Sequence, residues 1–211
     1  MDEDAVTPAR AVDGVLFDLL VGIMDSLTTW SAAAHDRQRG LAWRDRVSAQ
    51  LVAIGSYAPY EDMVARAAQE IGLPATATDE LIHRWSEMQP WPDAVANSAL
   101  PLPYAFVTNC STELAHVAAR RSGLDPLFTL SAQEAGWFKP DARIYREACR
   151  RLGTTVERTL FVAGSPYDAV GARAAGLPTW LVLRRSDQRA PGESISVARS
   201  LDAVVDAINR P

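Results

Sequence analysis

The 211-residue chain holds only two cysteines, Cys110 and Cys149, too few for a disulfide framework or a zinc site. That count fits a reducing compartment. Basic residues are in deficit as well: 21 Lys and Arg stand against 26 Asp and Glu, a formal charge of −5 with an isoelectric point near 5.2. This balance argues against nucleic acid or an anionic membrane as the main partner, since both select a positive face. Long apolar runs are missing. The longest, VDGVLFDLLVGIMD, is broken by Asp13, Asp18 and Asp25 and is too short to cross a bilayer. The opening MDEDAVTPAR has neither the basic nor the apolar region of a secretory leader. There is no internal repeat and no low-complexity segment. The expectation is a cytoplasmic globular protein: one large domain, or a core carrying an insertion.

What is present is a change of texture along the chain. Gly14–Leu20, GVLFDLL, reads as a strand buried on both faces, with Asp18 near its end. The next stretch, from Ser26 to about Gln89, is helical. LTTWSAAAHDRQ, WRDRVSAQLVAIG, EDMVARAAQEIG and TDELIHRWSEM space their apolar residues by three and four, and Gly55, Pro59, Gly72 and Pro74 punctuate them. Beyond Pro92, strands and helices alternate. Tyr104–Thr108, Leu127–Leu130, Thr159–Ala163 and Pro178–Leu183 read as strands; Thr112–Ser122, Ala142–Leu152, Asp168–Ala175 and Leu201–Ile208 read as helices. Apolar strands alternating with helices imply a parallel sheet covered on both faces. The expected architecture is a three-layer, Rossmann-like α/β core, residues 10–25 and 93–211, with a helical cap, residues 26–92, inserted after the first strand.

Ligands of open parallel sheets bind beyond the carboxyl ends of the strands. Asp18, Thr108 with Asn109, Lys139, and Ser165 with Asp168 stand at those ends and are expected to converge. A buried carboxylate is costly unless it is satisfied. It is also a competent nucleophile when a cation keeps it ionised and directs it. Lys139 supplies that cation for Asp18. Thr108 can hold the carboxylate or a substrate oxygen, Asp168 can share Lys139 and position a water, and the backbone N–H groups of Leu19 and Leu20 can take a substrate anion.

FDLLVG, VTNCS, WFKPDARIY and LFVAGSPYDAVGARAAGLP, in that order, resemble the four motifs of the haloacid dehalogenase superfamily. The resemblance covers about two-thirds of the chain and is nearest to the L-2-haloacid dehalogenase branch, whose helical cap also follows the first motif. It implies Asp18 as nucleophile, Thr108 and Asn109 as the second-motif pair and Lys139 as the third-motif lysine. It also implies Tyr145 as the substrate-side tyrosine and Asp168 as the late carboxylate. The superfamily's magnesium phosphatases carry an acid two residues after the nucleophile and an acidic pair late in the chain. Leu20 and Gly164 occupy two of those positions here, so neither a metal nor another cofactor is expected.

A halide leaves without a proton, so attack at the carbon of a small 2-substituted carboxylate fits these residues. Ring opening, as in the related azetidine-2-carboxylate hydrolases, is an alternative on the same residues. A catalytically weakened fold that binds small carboxylates is an alternative of another class. The reasons lie in departures from the branch: Gly22 replaces a threonine, Ser165 an asparagine, Ala163 a small polar residue. Alignment on Tyr57 sets Leu51 where the cap arginine belongs, with Arg44 and Arg46 elsewhere on the helix. Trp30 and Tyr57 are expected to face the crevice as its apolar wall. Asp25 reads as a helix cap, Cys110 as a core thiol, and His35, His83 and His116 as surface or packing residues. The resemblance also implies a possible homodimer.

Overall fold

A computed structural model describes residues 12–95, 100–185, 187–189, 191–192 and 195–209. The outer limits drawn above for the core, residues 10 and 211, lie outside them. β1 (Gly14–Asp18) is buried at every position. It is flanked by β2 (Tyr104–Thr108) and β4 (Thr159–Ala163) in a parallel register that pairs Phe17 with Phe106 and Val162. With β3 (Thr129–Ser131), β5 (Thr179–Val182) and β6 (Ser196–Ala198) the sheet has the order β3-β2-β1-β4-β5-β6, all parallel. This is a doubly wound α/β sheet whose order reverses beside β1, the place where such folds open a crevice.

The first strand is two residues shorter than its apolar run implies. After Asp18 the chain leaves the sheet and winds into a wide turn, Leu19–Ile23, closed by Met24 N–H donating to Leu19 O at 2.8 Å. Leu19–Ile23 are all buried, so hydrophobicity alone could not mark where extension ends. β6, a three-residue edge strand with Val197 exposed, has too little apolar pattern to be read in advance.

Between β1 and β2 come α1 (Ser26–Ala33), α2 (Arg37–Ile54), α3 (Tyr60–Glu70) and α4 (Ala77–Arg84), followed by the short α5 (Pro92–Val95). Asp25 caps α1 by accepting from Thr28 N–H (3.1 Å), and Asp36 caps α2 by accepting from Arg39 N–H (2.7 Å). α1 and α2 cross closely at Gly40, where a Cβ would lie 2.5 Å from Ser31 Cα and 2.6 Å from Trp30 O. Beside that crossing, Trp30 and Trp43 meet edge to face at 4.8 Å, and Trp43 Nε1 donates to Val64 O at 2.9 Å.

The remaining helices are α6 (Thr112–Ser122), α7 (Ala132–Ala135), α8 (Ala142–Leu152), α9 (Pro166–Ala174) and α10 (Leu201–Asn209). Several bonds fasten α1–α4 over the carboxyl ends of the strands. Trp85 Nε1 donates to Leu114 O (3.0 Å), Ser111 Oγ to Glu61 Oε1 (2.6 Å), and Phe138 N–H to Gly55 O (2.7 Å).

Candidate active site

The centre of the site is Lys139, only 1% exposed. An ammonium so buried must use all three of its donors. It does: Nζ donates to Asp18 Oδ1 at 2.9 Å, to Asp168 Oδ2 at 2.6 Å and to Val107 O at 3.2 Å. The Phe161 ring lies 5.5 Å from the same nitrogen. The lysine backbone is fixed by a reciprocal pair with Asn109, whose Nδ2 donates to Lys139 O (2.9 Å) and whose Oδ1 accepts from Lys139 N–H (2.7 Å). Burial opposes the charge, but Asp168 and Asp18 beside it hold the Lys139 pKa above the usual lysine value.

Asp168 is 1% exposed, and its second oxygen accepts from the Tyr145 hydroxyl, which also donates to Asp168 O at 3.1 Å. Burial pushes the Asp168 carboxyl up to about 6, against the pull of Lys139 and with the push of Asp18. The phenol of Tyr145 stands well above its ordinary value, through burial first and the Asp168 charge second.

Over this centre lies a small cleft, continuous with solvent. Asp18, Leu20, Asn109 and Lys139 form its sheet side; Trp30, Arg44, Val47, Leu51 and Tyr60 belong to the helical wall. Asp18, Asp168 and Lys139 sum to one negative charge. Arg44 enters from α2 and brings the local sum to zero. Its guanidinium donates to Ser165 Oγ at 2.7 Å and pairs with Asp45 at 3.0 Å.

The geometry corrects the sequence reading at several residues. Arg44, set aside above, is the cation of the helical wall; Arg46 instead pairs with Glu70 on the surface. Leu51, the position given by alignment on Tyr57, lines the cleft beside Arg44, but Tyr57 itself does not; Tyr60 does. Tyr57 packs on Phe138 at 5.2 Å between ring centres. Tyr145 does not line the cleft and reaches it only through Asp168. Asp168 stands behind Lys139, one oxygen accepting from Lys139 and the other from Tyr145. Thr108 is fully buried, its hydroxyl 3.5 Å from Cys110 Sγ, and Leu19 is fully buried in the turn; neither lines the cleft. Ser165 meets Arg44 rather than the cleft itself. Trp30, Leu20 and Asn109 do line it, as expected. So do Tyr167 and Ser26, for which no sequence signal stood out.

Asp25 is a cap as expected, and burial pushes the Cys110 thiol up to about 12. The donor set does not fit a divalent cation. Lys139 occupies the space between the two carboxylates, the Leu20 side chain offers no oxygen, and among the described residues no group of three His, Cys, Asp or Glu could hold an ion. No helix among them is long and apolar enough to cross a membrane.

The site is thus a lysine-bound carboxylate at the carboxyl edge of a doubly wound parallel sheet, under a helical wall. The particular family follows from sequence comparison: residues 12–176 match the haloacid dehalogenase-like hydrolases, and the chain belongs to that family. (S)-2-haloacid dehalogenase 1 of Pseudomonas sp. (strain CBS-3) is 28% identical over 193 residues, covering 82% of this chain and 83% of the relative. (S)-2-haloacid dehalogenase 4A of Burkholderia cepacia is 30% identical over 115 residues, 52% of this chain and 50% of that relative. The fold matches L-2-haloacid dehalogenase from Xanthobacter autotrophicus with chloropropionic acid covalently bound. The TM-score is 0.82 at 20% identity, over 93% of this chain and 98% of that one.

Proposed function

We propose that the protein hydrolyses (S)-2-halo acids through an ester on Asp18, with residues 26–92 acting as the cap that closes over the substrate. The observation that carries this reading is the Asp18–Lys139 pair at the floor of the cleft, with Arg44 across from it. Lys139 takes one carboxylate oxygen of Asp18, and among the described residues nothing bonds the other. That free oxygen attacks C2. The C2–halogen bond breaks with its electron pair, and the halide leaves toward Arg44 without needing a proton. Water from the cleft then attacks Cγ of the ester, whose carbonyl oxygen Lys139 polarises. The Cγ–O bond breaks, one proton of the water passes to the 2-hydroxy acid and the other to solvent, and Asp18 returns as carboxylate with an oxygen from water. Asn109 and Leu20 line the place of the substrate carboxylate. Asp168 and Tyr145 act through Lys139 by holding it.

Ring opening of azetidine-2-carboxylate gains weight where a cap arginine is missing. Arg44 removes that reason, and the relatives named above are haloacid dehalogenases. The weakened-binder reading keeps only Gly22 as its support. The test is chloride release from L-2-chloropropionate by purified protein, with Asp18→Asn as control. Chloride and 2-hydroxy acid from the parent, and none from the variant, are expected. A fully active Asp18→Asn protein would overturn the mechanism.

A further inference from the structure

We propose that the Ser26 hydroxyl reads a hydrogen-bonding substituent on C3 of the substrate, so that the cleft prefers a hydroxymethyl group to an ethyl group of the same size. This rests on the cleft's being the carboxylate site proposed above. Ser26 is the first residue of α1, lines the cleft and is 1% exposed, yet its Oγ has no hydrogen-bond partner among the described residues. Buried side-chain hydroxyls are rarely left unpaired.

Helix capping does not account for it. Asp25 does that work, one oxygen accepting from Thr28 N–H at 3.1 Å and the other from Thr28 Oγ1 at 2.6 Å. The other serine of the cleft, Ser48, is already satisfied by donating to Arg44 O at 3.0 Å. On the sheet side, Asp18, Lys139 and Asn109 face the reacting carbon and the carboxylate. The substituent on C2 is therefore left to the helical wall, where Val47 and Leu51 have no polar atom, Trp30 brings an indole N–H and Tyr60 a phenol. Ser26 Oγ is the hydroxyl of this lining that is buried with no partner among the described residues. A site whose buried hydroxyl is matched by the ligand discriminates against the analogue that leaves it unmatched.

The experiment avoids turnover and uses the intact protein with two unreactive, nearly isosteric acids, 3-hydroxypropionate and butyrate. Calorimetry gives the affinity of each for the parent and for Ser26→Ala. The parent is expected to bind 3-hydroxypropionate about tenfold more tightly than butyrate, the ratio that one neutral hydrogen bond supplies. Ser26→Ala is expected to lose that preference while binding butyrate at least as well, which also certifies its fold. Equal affinities in the parent would overturn the proposal, since a cleft water then satisfies Ser26 equally with either acid. A preference that survives in Ser26→Ala would overturn it too, by moving the recognition elsewhere. If neither acid bound to a parent that releases chloride from L-2-chloropropionate, only the Ser26 assignment would fall. If chloride release also failed, the carboxylate reading of the cleft would fall with it.

Discussion

The two walls of the cleft are built on opposite rules. The sheet side is a closed polar network in which Lys139 has three acceptors, Asp168 has both oxygens bonded, and Asn109 clamps the lysine backbone from two directions. The helical side is largely apolar, from Trp30, Val47 and Leu51, with Tyr60, the cation Arg44 and, among the described residues, the buried unpartnered hydroxyl of Ser26. The first wall carries a fixed charge pattern and suits the bond-making step. The second is a shaped surface and suits selection of what is admitted.

The comparison can be broken most sharply on the sheet side. Lys139→Met leaves two buried carboxylates without their shared cation. Stability is expected to fall by about 3–5 kcal/mol, and turnover to disappear. Urea unfolding beside a chloride assay checks both. Gly171→Ala should follow. A Cβ there would lie 2.2 Å from Pro140 Cβ and 2.9 Å from Pro140 O, so α9 must shift away from the segment carrying Lys139. A loss of about 1–3 kcal/mol is expected, with turnover falling further than stability explains. Wild-type melting and turnover in this variant would show that the network tolerates displacement.

On the helical side the effects are smaller. Arg44→Ala is expected to lower kcat about 100-fold, by removing the donor that meets the leaving halide. Its fold should survive, because Asp45 keeps Arg185 at 2.9 Å and the shortened side chain opens Ser165 to the cleft. An effect confined to KM would make Arg44 a general substrate binder instead. A pH profile sharpens the contrast. Asp168 has a folded pKa of about 6, above its free value, so its negative form is lost as pH falls through 6 and its hold on Lys139 weakens. Turnover should therefore show an acid limb centred near pH 6 that persists in Arg44→Ala. The smallest effect belongs to Gly22. A Cβ there meets only ordinary contacts, 3.5 Å to Asp18 Cβ and 3.6 Å to Val162 O, and Gly22→Ser should cost less than about 1 kcal/mol.

The same contrast explains what could be read from the sequence. Strands such as Tyr104–Thr108 and Thr159–Ala163 were legible because buried parallel strands are continuously apolar. Asp18, Lys139 and Asp168 were legible because charges at strand ends have few structural reasons to be there. The helical wall was not. On α2, Arg44 and Arg46 are two residues apart, and only the helix rotation decides that one enters the cleft and the other pairs with Glu70. Tyr57 lies in the loop before α3 and Tyr60 opens that helix, so which of the two lines the cleft depends on where the helix begins. Tyr145 and Asp168 were found, but sequence could not tell contact with the cleft from support behind Lys139.

The central claim is that an Asp18 oxygen becomes the product hydroxyl. One turnover in ¹⁸O water with enzyme in excess over L-2-chloropropionate, followed by mass spectrometry of lactate and of the peptide holding Asp18, tests it directly. The account predicts unlabelled lactate and one ¹⁸O in the Asp18 peptide. Labelled lactate with an unlabelled Asp18 peptide would mean that water attacks C2 itself, and would contradict the covalent account.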